Sequence, residues 1–224
     1  MKTHLIHTLL FLVTVSLSAA NSQARKFTVY APTPLKTSSQ LYFSNGQEYI
    51  PLTFTKGSRS ETYLRAVSNS FEVFTTKVVD DQTIFVPVGK TKIDPTIKRL
   101  LYLIEQTSDG GKLQITALND TVENFPRGTY KYYNLTQFPI TASLNGSQCS
   151  IPPQKITQVK PEIPNGGALI PFYLYYKDVI LHECRLYCQA SERRIIFITR
   201  NRKGDSRRPI KLSYLPQLIG ADYR

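Results

Sequence analysis

Leu100-Leu101-Tyr102-Leu103-Ile104 lies between Arg99 and Glu105. The run is short and its flanks are charged, so it fits a buried strand better than a helix. Asp94 offers an N-cap for at most one helical turn from Pro95. Working outward, the same signal recurs. Short runs rich in β-branched and aromatic residues alternate with polar positions, and turn residues separate them.

Before the join these runs are Lys26–Ala31, Gln40–Phe43, Glu48–Phe54, Thr62–Val67, Phe71–Thr76, Thr83–Val88, Arg99–Glu105 and Lys112–Leu118. After it come Thr129–Asn134, Ile140–Leu144, Gln148–Ile151, Gln154–Val159, Ala168–Tyr175, Val179–Cys188, Arg193–Thr199 and Ile210–Leu215. Asn45-Gly46 and Asn145-Gly146 predict two-residue hairpins, because Asn and Gly tolerate positive φ. Asp109-Gly110-Gly111, Asn165-Gly166-Gly167 and Lys203-Gly204-Asp205 are looser turn clusters. Eight strands followed by eight predict an all-β protein of two immunoglobulin-like β-sandwich domains, residues 25–120 and 121–224. Their join falls in the polar stretch Asn119–Phe125. One continuous sandwich of the same length is the alternative.

Composition narrows the class further. The 224 residues carry 28 Lys and Arg against 16 Asp and Glu, a net charge of +12, and 41% are apolar. That is enough apolar matter to bury a core, so disorder is excluded. Three Cys are too few for a disulfide miniprotein. After the N-terminal segment no stretch is apolar over the roughly 18 residues that a spanning helix needs.

Residues 1–24 read as a cleaved signal peptide. Lys2 precedes the apolar run Leu5–Leu17, and the small residues Ser18, Ala19, Ala20, Ser22 and Ala24 follow. The run is too short to span a bilayer. The mature chain is therefore expected outside the cytoplasm, periplasmic or extracellular, where disulfides are permitted. Its Cys are Cys149, Cys184 and Cys188, an odd number. On a strand, Ile180, His182, Cys184, Leu186 and Cys188 share one face, the apolar one. Residues four apart on a straight strand lie about 13 Å apart, which forbids a Cys184–Cys188 bridge. Cys149 with one of the other two is the candidate disulfide. Three small buried residues are the alternative, and a metal site of His182, Cys184 and Cys188 lacks a fourth ligand.

Catalytic patterns are few. The mature chain holds one His, His182, and no nucleophile elbow, phosphate loop or calcium loop. Asp80-Asp81 reads as a solvated hairpin turn. No cofactor is expected. Tyr130, Tyr132, Tyr133 and Tyr173, Tyr175, Tyr176 read as cross-strand packing before sugar stacking, in a chain without Trp. Asn119, Asn134 and Asn145 each begin a glycosylation triplet.

Charge gathers at the C-terminal end, in Arg193, Arg194, Arg200, Arg202, Lys203, Arg207, Arg208, Lys211 and Arg224. Arg200, Arg202, Lys203, Arg207 and Arg208 bracket the Gly204 turn, a basic tip for an anionic polymer or lipid head group. A solvated surface is the alternative. Export disfavours nucleic acid.

Asn119-Asp120-Thr121-Val122-Glu123-Asn124-Phe125-Pro126-Arg127-Gly128-Thr129-Tyr130, followed by Asn134-Leu135-Thr136, resembles a motif of uncharacterised exported proteins of the planctomycete and verrucomicrobial kind. Arg194-Ile195-Ile196-Phe197-Ile198 is similar to that group's Arg-led late strand, without its Trp. The resemblance spans Leu100 to about Thr199 and implies export and β-architecture, with no chemistry. Read physically, Phe125 anchors a core, Pro126 fixes φ and Gly128 permits the turn.

The sequence therefore predicts a non-enzymatic interaction module of the cell envelope, whose partner is an envelope protein or an anionic polymer. A periplasmic chaperone for surface fibres is the nearest alternative, set back by the shortness of Phe71–Thr76 and Thr83–Val88. A hydrolase of wall polymers is the third.

Overall fold

The computed structural model describes residues 24–36, 39–107, 112–164, 166–201 and 209–218. All of the expected signal peptide but Ala24, which begins the first strand, lies outside them, as do most of the basic tip (Arg202, Lys203, Arg207 and Arg208), Asp109-Gly110-Gly111 and Asn165.

The described residues form sixteen strands and no helix. The first eight are β1 (Ala24–Tyr30), β2 (Tyr42–Ser44), β3 (Tyr49–Pro51), β4 (Tyr63–Ala66), β5 (Ser70–Val79), β6 (Gln82–Lys92), β7 (Arg99–Gln106) and β8 (Leu113–Asn119). The second eight are β9 (Tyr130–Asn134), β10 (Ile140–Leu144), β11 (Ser147–Ile151), β12 (Ile156–Val159), β13 (Ala168–Tyr176), β14 (Val179–Cys188), β15 (Glu192–Arg200) and β16 (Ile210–Leu218).

They make four sheets in two sandwich-like pairs. The first pair is β4-β1-β7-β8 over β3-β2-β5-β6, and the second is β12-β9-β15-β16 over β11-β10-β13-β14. Counted from its own first strand, each half has the same order, 4-1-7-8 over 3-2-5-6. In each half the first strand runs parallel to the seventh, and every other pairing is antiparallel. Immunoglobulin sheets, numbered along the chain, run 1-2-5-4 and 3-6-7. The sandwich character is thus present, and the immunoglobulin order is not shown.

Core composition follows from the layers. Phe27, Phe43, Phe71 and Tyr102 fill the first sandwich, with Phe71 and Tyr102 stacked at 3.9 Å. Tyr130, Tyr132, Phe172 and Ile196 fill the second. A third cluster lies between the halves, where the sheets containing β7 and β15 face each other through Tyr30, Leu101, Leu103, Tyr133, Ile195, Phe197 and Leu215. This explains the unbroken apolar run Leu100–Ile104. Leu100, Tyr102 and Ile104 enter the first sandwich, while Leu101 and Leu103 enter the inter-sandwich layer. β15 does the same with Ile196 and Ile198 against Ile195 and Phe197. A strand covered on both faces needs apolar residues at every position.

Several turns differ from expectation. Asn145-Gly146 is a two-residue hairpin with both φ positive, joining Leu144 to Ser147. Asn45-Gly46 is not. The pairing resumes at Ser44 and Tyr49, so the loop has four residues, and Asn45 Oδ1 accepts from the amides of Gln47 and Glu48. Side-chain capping of the loop replaces the tight turn. Asp80-Asp81 is the solvated two-residue turn expected, with φ of 48° and 61°. The strands it joins are not short: Phe71–Thr76 and Thr83–Val88 grow into the 10 and 11 residues of β5 and β6. Their outer ends pair with each other beyond the sandwich, exposing Val78, Val79 and Ile84.

The polar stretch between the halves is the centre of a buried ion cluster. Asp120 is 1% exposed and Arg193 is fully buried. Arg193 Nη2 donates to Asp120 Oδ1 at 2.9 Å, and Arg59 Nη1 donates to Oδ2 at 2.6 Å. Arg99 Nε lies 3.6 Å from the same oxygen. The repeat makes Arg99 and Arg193 equivalent, since each lies two residues before the first inter-sandwich side chain of its half's seventh strand, Leu101 in one and Ile195 in the other. Phe125, expected as a core anchor, packs under both the Arg193 guanidinium and the Lys131 ammonium, at 4.8 and 4.4 Å. Gly128 takes the positive φ of 69° that its turn requires.

Glu105 faces the same layer, hydrogen-bonded by the Tyr133 hydroxyl. Burial raises its pKa to about 7. A carboxyl raised in the folded state holds its proton better folded than unfolded. Its stabilisation is therefore complete below the unfolded value and is lost as pH rises to about 7, roughly 3 kcal/mol in all. Lys131, lowered by burial to about 8, acts only on the alkaline side. Urea unfolding at pH 5 and pH 7.5 is expected to show the protein more stable at pH 5, and Glu105→Gln to remove most of the difference. Equal pH dependence in the variant would refute the assignment.

Candidate functional site

Equivalent edges of the two sandwiches differ, and the difference creates a site. In the first half β6 and β8 press together. Gly89 is so close to β8 that a Cβ there would meet the Leu113 carbonyl oxygen at 2.8 Å. In the second half the corresponding strands, β14 and β16, stand apart around a cavity of about 630 Å³. Ile180, Leu181, His182 and Glu183 line it from β14, and Ile210, Lys211 and Leu212 from β16, with Asn201 at one end.

Local register supplies the reason. Each long hairpin has a bulge at the same place. β5 and β6 pair as Val73↔Gly89 and then Phe74↔Pro87, leaving Val88 as the extra residue. β13 and β14 pair as Leu174↔His182 and then Tyr175↔Ile180, leaving Leu181. Gly89 and His182 are thus equivalent. Glycine admits the neighbouring strand to van der Waals limits, and an imidazole at that position holds the edge open. The bulge also corrects one expectation. Ile180 does not share the core face with His182. The extra residue turns Leu181 toward the core, and Ile180 is 52% exposed.

β14 and β16 are both edge strands, each with one neighbour in its sheet. A strand edge presents backbone donors and acceptors, and here two such edges flank one apolar-walled groove. Among the described residues, Glu183 and Lys211 give its lining one charge of each sign.

The sequence-predicted residues fall as follows. Arg200 is exposed at the end of β15, paired with Ile210 beside the groove. Arg193 and Arg194, counted with the basic end, are consumed internally. Arg193 also bonds the Phe125 carbonyl at 2.8 Å and Gln217 at 2.9 Å, and Arg194 pairs with Glu192 at 2.7 Å.

Cys149, Cys184 and Cys188 are all free, so the candidate disulfide is absent. Cys149 lies on β11 and the other two on β14, at opposite edges of one four-stranded sheet. Three strand spacings, about 14 Å, separate those edges, beyond disulfide reach. Burial raises all three thiols, which makes them poor nucleophiles. Cys188 is buried in the second core, and Cys149 and Cys184 pack half-buried against it. Among the described residues no three His, Cys, Asp or Glu are placed to hold a metal ion.

No protein-family model and no curated protein matches this chain.

The tyrosines separate by face. Tyr130, Tyr132 and Tyr133 are buried and unavailable for stacking on a sugar. Tyr173 and Tyr175 stack on each other, half-buried on an outer sheet. Asn134 is fully buried, its amide donating to the Phe138 and Ile151 carbonyls at 2.9 and 3.0 Å, so its triplet is no glycosylation acceptor in the folded protein.

Sequence reasoning missed the groove, Asp120 and its arginines. Asp120 lies 61 residues from Arg59 and 73 from Arg193, so no local pattern links them. A signal for the groove was legible only in comparison: glycine beside the bulge in one half, histidine in the other.

Proposed function

We propose that this protein is an exported, non-enzymatic interaction module that takes up an extended polypeptide strand between β14 and β16. The carrying observation is the asymmetry of two topologically equivalent edges, one closed at Gly89 and one open at His182. Strand addition suits such a site. Backbone bonds to an edge supply affinity, and alternate side chains enter the groove to supply specificity. Leu181 and Leu212 offer the apolar wall, while Arg200 and Lys211 favour an acidic flank on the incoming strand. The apolar segment before Asn21 supports export to the cell envelope. A fibre-subunit chaperone is a special case of this reading, and the long β5–β6 hairpin removes the objection that its strands are short.

The test is capture of envelope proteins on the immobilised chain at about 0.5 M salt, where charge attraction is screened beyond a few Å. Hydrogen exchange then follows on the complex formed. One protein retained by the wild type and lost in Leu212→Asp, with new protection of amides in β14 and β16, supports the groove. Retention of anionic polymer at low salt alone, abolished by replacing Arg200, Arg202, Lys203, Arg207 and Arg208 with alanine, would overturn it in favour of the basic tip.

A further inference from the structure

A second cavity, of about 810 Å³, opens where the first sandwich meets β16. Its walls are Tyr30 at the end of β1, residues 31–35 and 39–41 between β1 and β2, and residues 52–57 between β3 and β4, and Lys211 and Ser213 close it from the second half. Those two connections are where the halves depart most from their shared plan. Residues 31–41 join β1 to β2, whereas residues 135–139 suffice between β9 and β10. Residues 52–62 join β3 to β4, whereas 152–155 suffice between β11 and β12. The fold closes without the added length, yet both longer loops line one cavity. Loops lengthened on a rigid scaffold are where binding sites are built.

The chemistry of the lining is one-sided. Pro32, Leu35, Leu41, Leu52 and Phe54 give an apolar interior. Lys56 and Lys211 stand at its exposed parts, and among the described residues of the lining there is no Asp or Glu. Tyr30 at the floor is hydrogen-bonded to Ser213, which fixes the contact between the halves there. An apolar body is favoured inside, and a negative head is favoured beside the lysines.

We infer that this cavity binds a single-chain anionic amphiphile, an apolar chain ending in a carboxylate or a phosphate monoester. The site is independent of the strand groove, and Lys211 is the one residue that lines both.

The test is titration of the full mature chain with dodecanoate and dodecyl phosphate below their micelle concentrations, read by calorimetry. Dodecanol and dodecylammonium serve as controls, and vesicles of anionic phospholipid distinguish a membrane-held source from a free one. Saturable one-to-one binding of either anion is expected, with dodecanol at least about tenfold weaker and dodecylammonium unbound. Lys56→Glu should weaken the anions about tenfold, and Thr33→Trp, which fills the cavity, should block them. Lys77→Glu, the same charge change on the distant β5–β6 hairpin, should leave affinity unchanged. Dodecanol binding as tightly as dodecanoate would overturn the inference. So would anion binding indifferent to both cavity variants, or equally sensitive to Lys77→Glu. Because Lys56 and Thr33 lie off β14 and β16, their variants leave strand capture intact, so failure here is distinguishable from failure of the groove.

Discussion

Asp120→Ala is expected to destabilise the protein by about 3–5 kcal/mol, because it strips the counter-charge from a fully buried arginine. Arg193 keeps its carbonyl acceptors at Phe125 and Asp120, but carbonyl dipoles do not neutralise a guanidinium in a dry interior. Arg59 and Arg99 lose the same partner, and three positive groups then face one another. Asp120→Asn should fall between the variant and the wild type, since it retains hydrogen bonding without charge. The reference is Glu72→Ala, which breaks the exposed Glu72–Lys90 pair and should cost less than about 1 kcal/mol. Urea midpoints at neutral pH with a common slope decide it. A loss at Asp120 no greater than at Glu72 would mean that the cluster contributes nothing beyond a surface pair.

Phe197→Ala is the second large effect, also about 3–5 kcal/mol. Phe197 is fully buried, stacks on Tyr30 at 5.1 Å and contacts Tyr133 at 6.2 Å. Its neighbours sit on central strands of both inner sheets, which cannot collapse into the void without moving their own sandwiches. The layer belongs to both halves, so the wild type should unfold in one transition. The variant should lower stability in both halves together, read by exchange at Val29 in one half and Ile198 in the other. Protection lost in the second half alone would show that the halves fold independently and that their contact is incidental.

How legible this was depended on the range of the interaction. All sixteen strands announced themselves locally, through alternation and turn residues, and Asn145-Gly146 even specified its turn. Asn45-Gly46 carried the same signal and made a longer loop, because the Asn45 side chain offered its own hydrogen bonds to the next amides. Arg193 and Arg200 were equivalent as charges on a list. One is fully buried and the other exposed, and the distinction rests on an aspartate 73 residues away.

By itself, the sequence determined that this chain is all-β, that its strands come in two sets of eight, and that Leu100–Ile104 is buried. Hydrophobic period and turn chemistry are properties of neighbours along the chain. Tertiary structure alone decided that both halves share one strand order, that their inner sheets pack face to face over Asp120, and that one edge closes while its equivalent opens. Those outcomes depend on which side chains meet across the fold, where a glycine against a histidine sets whether two strands touch.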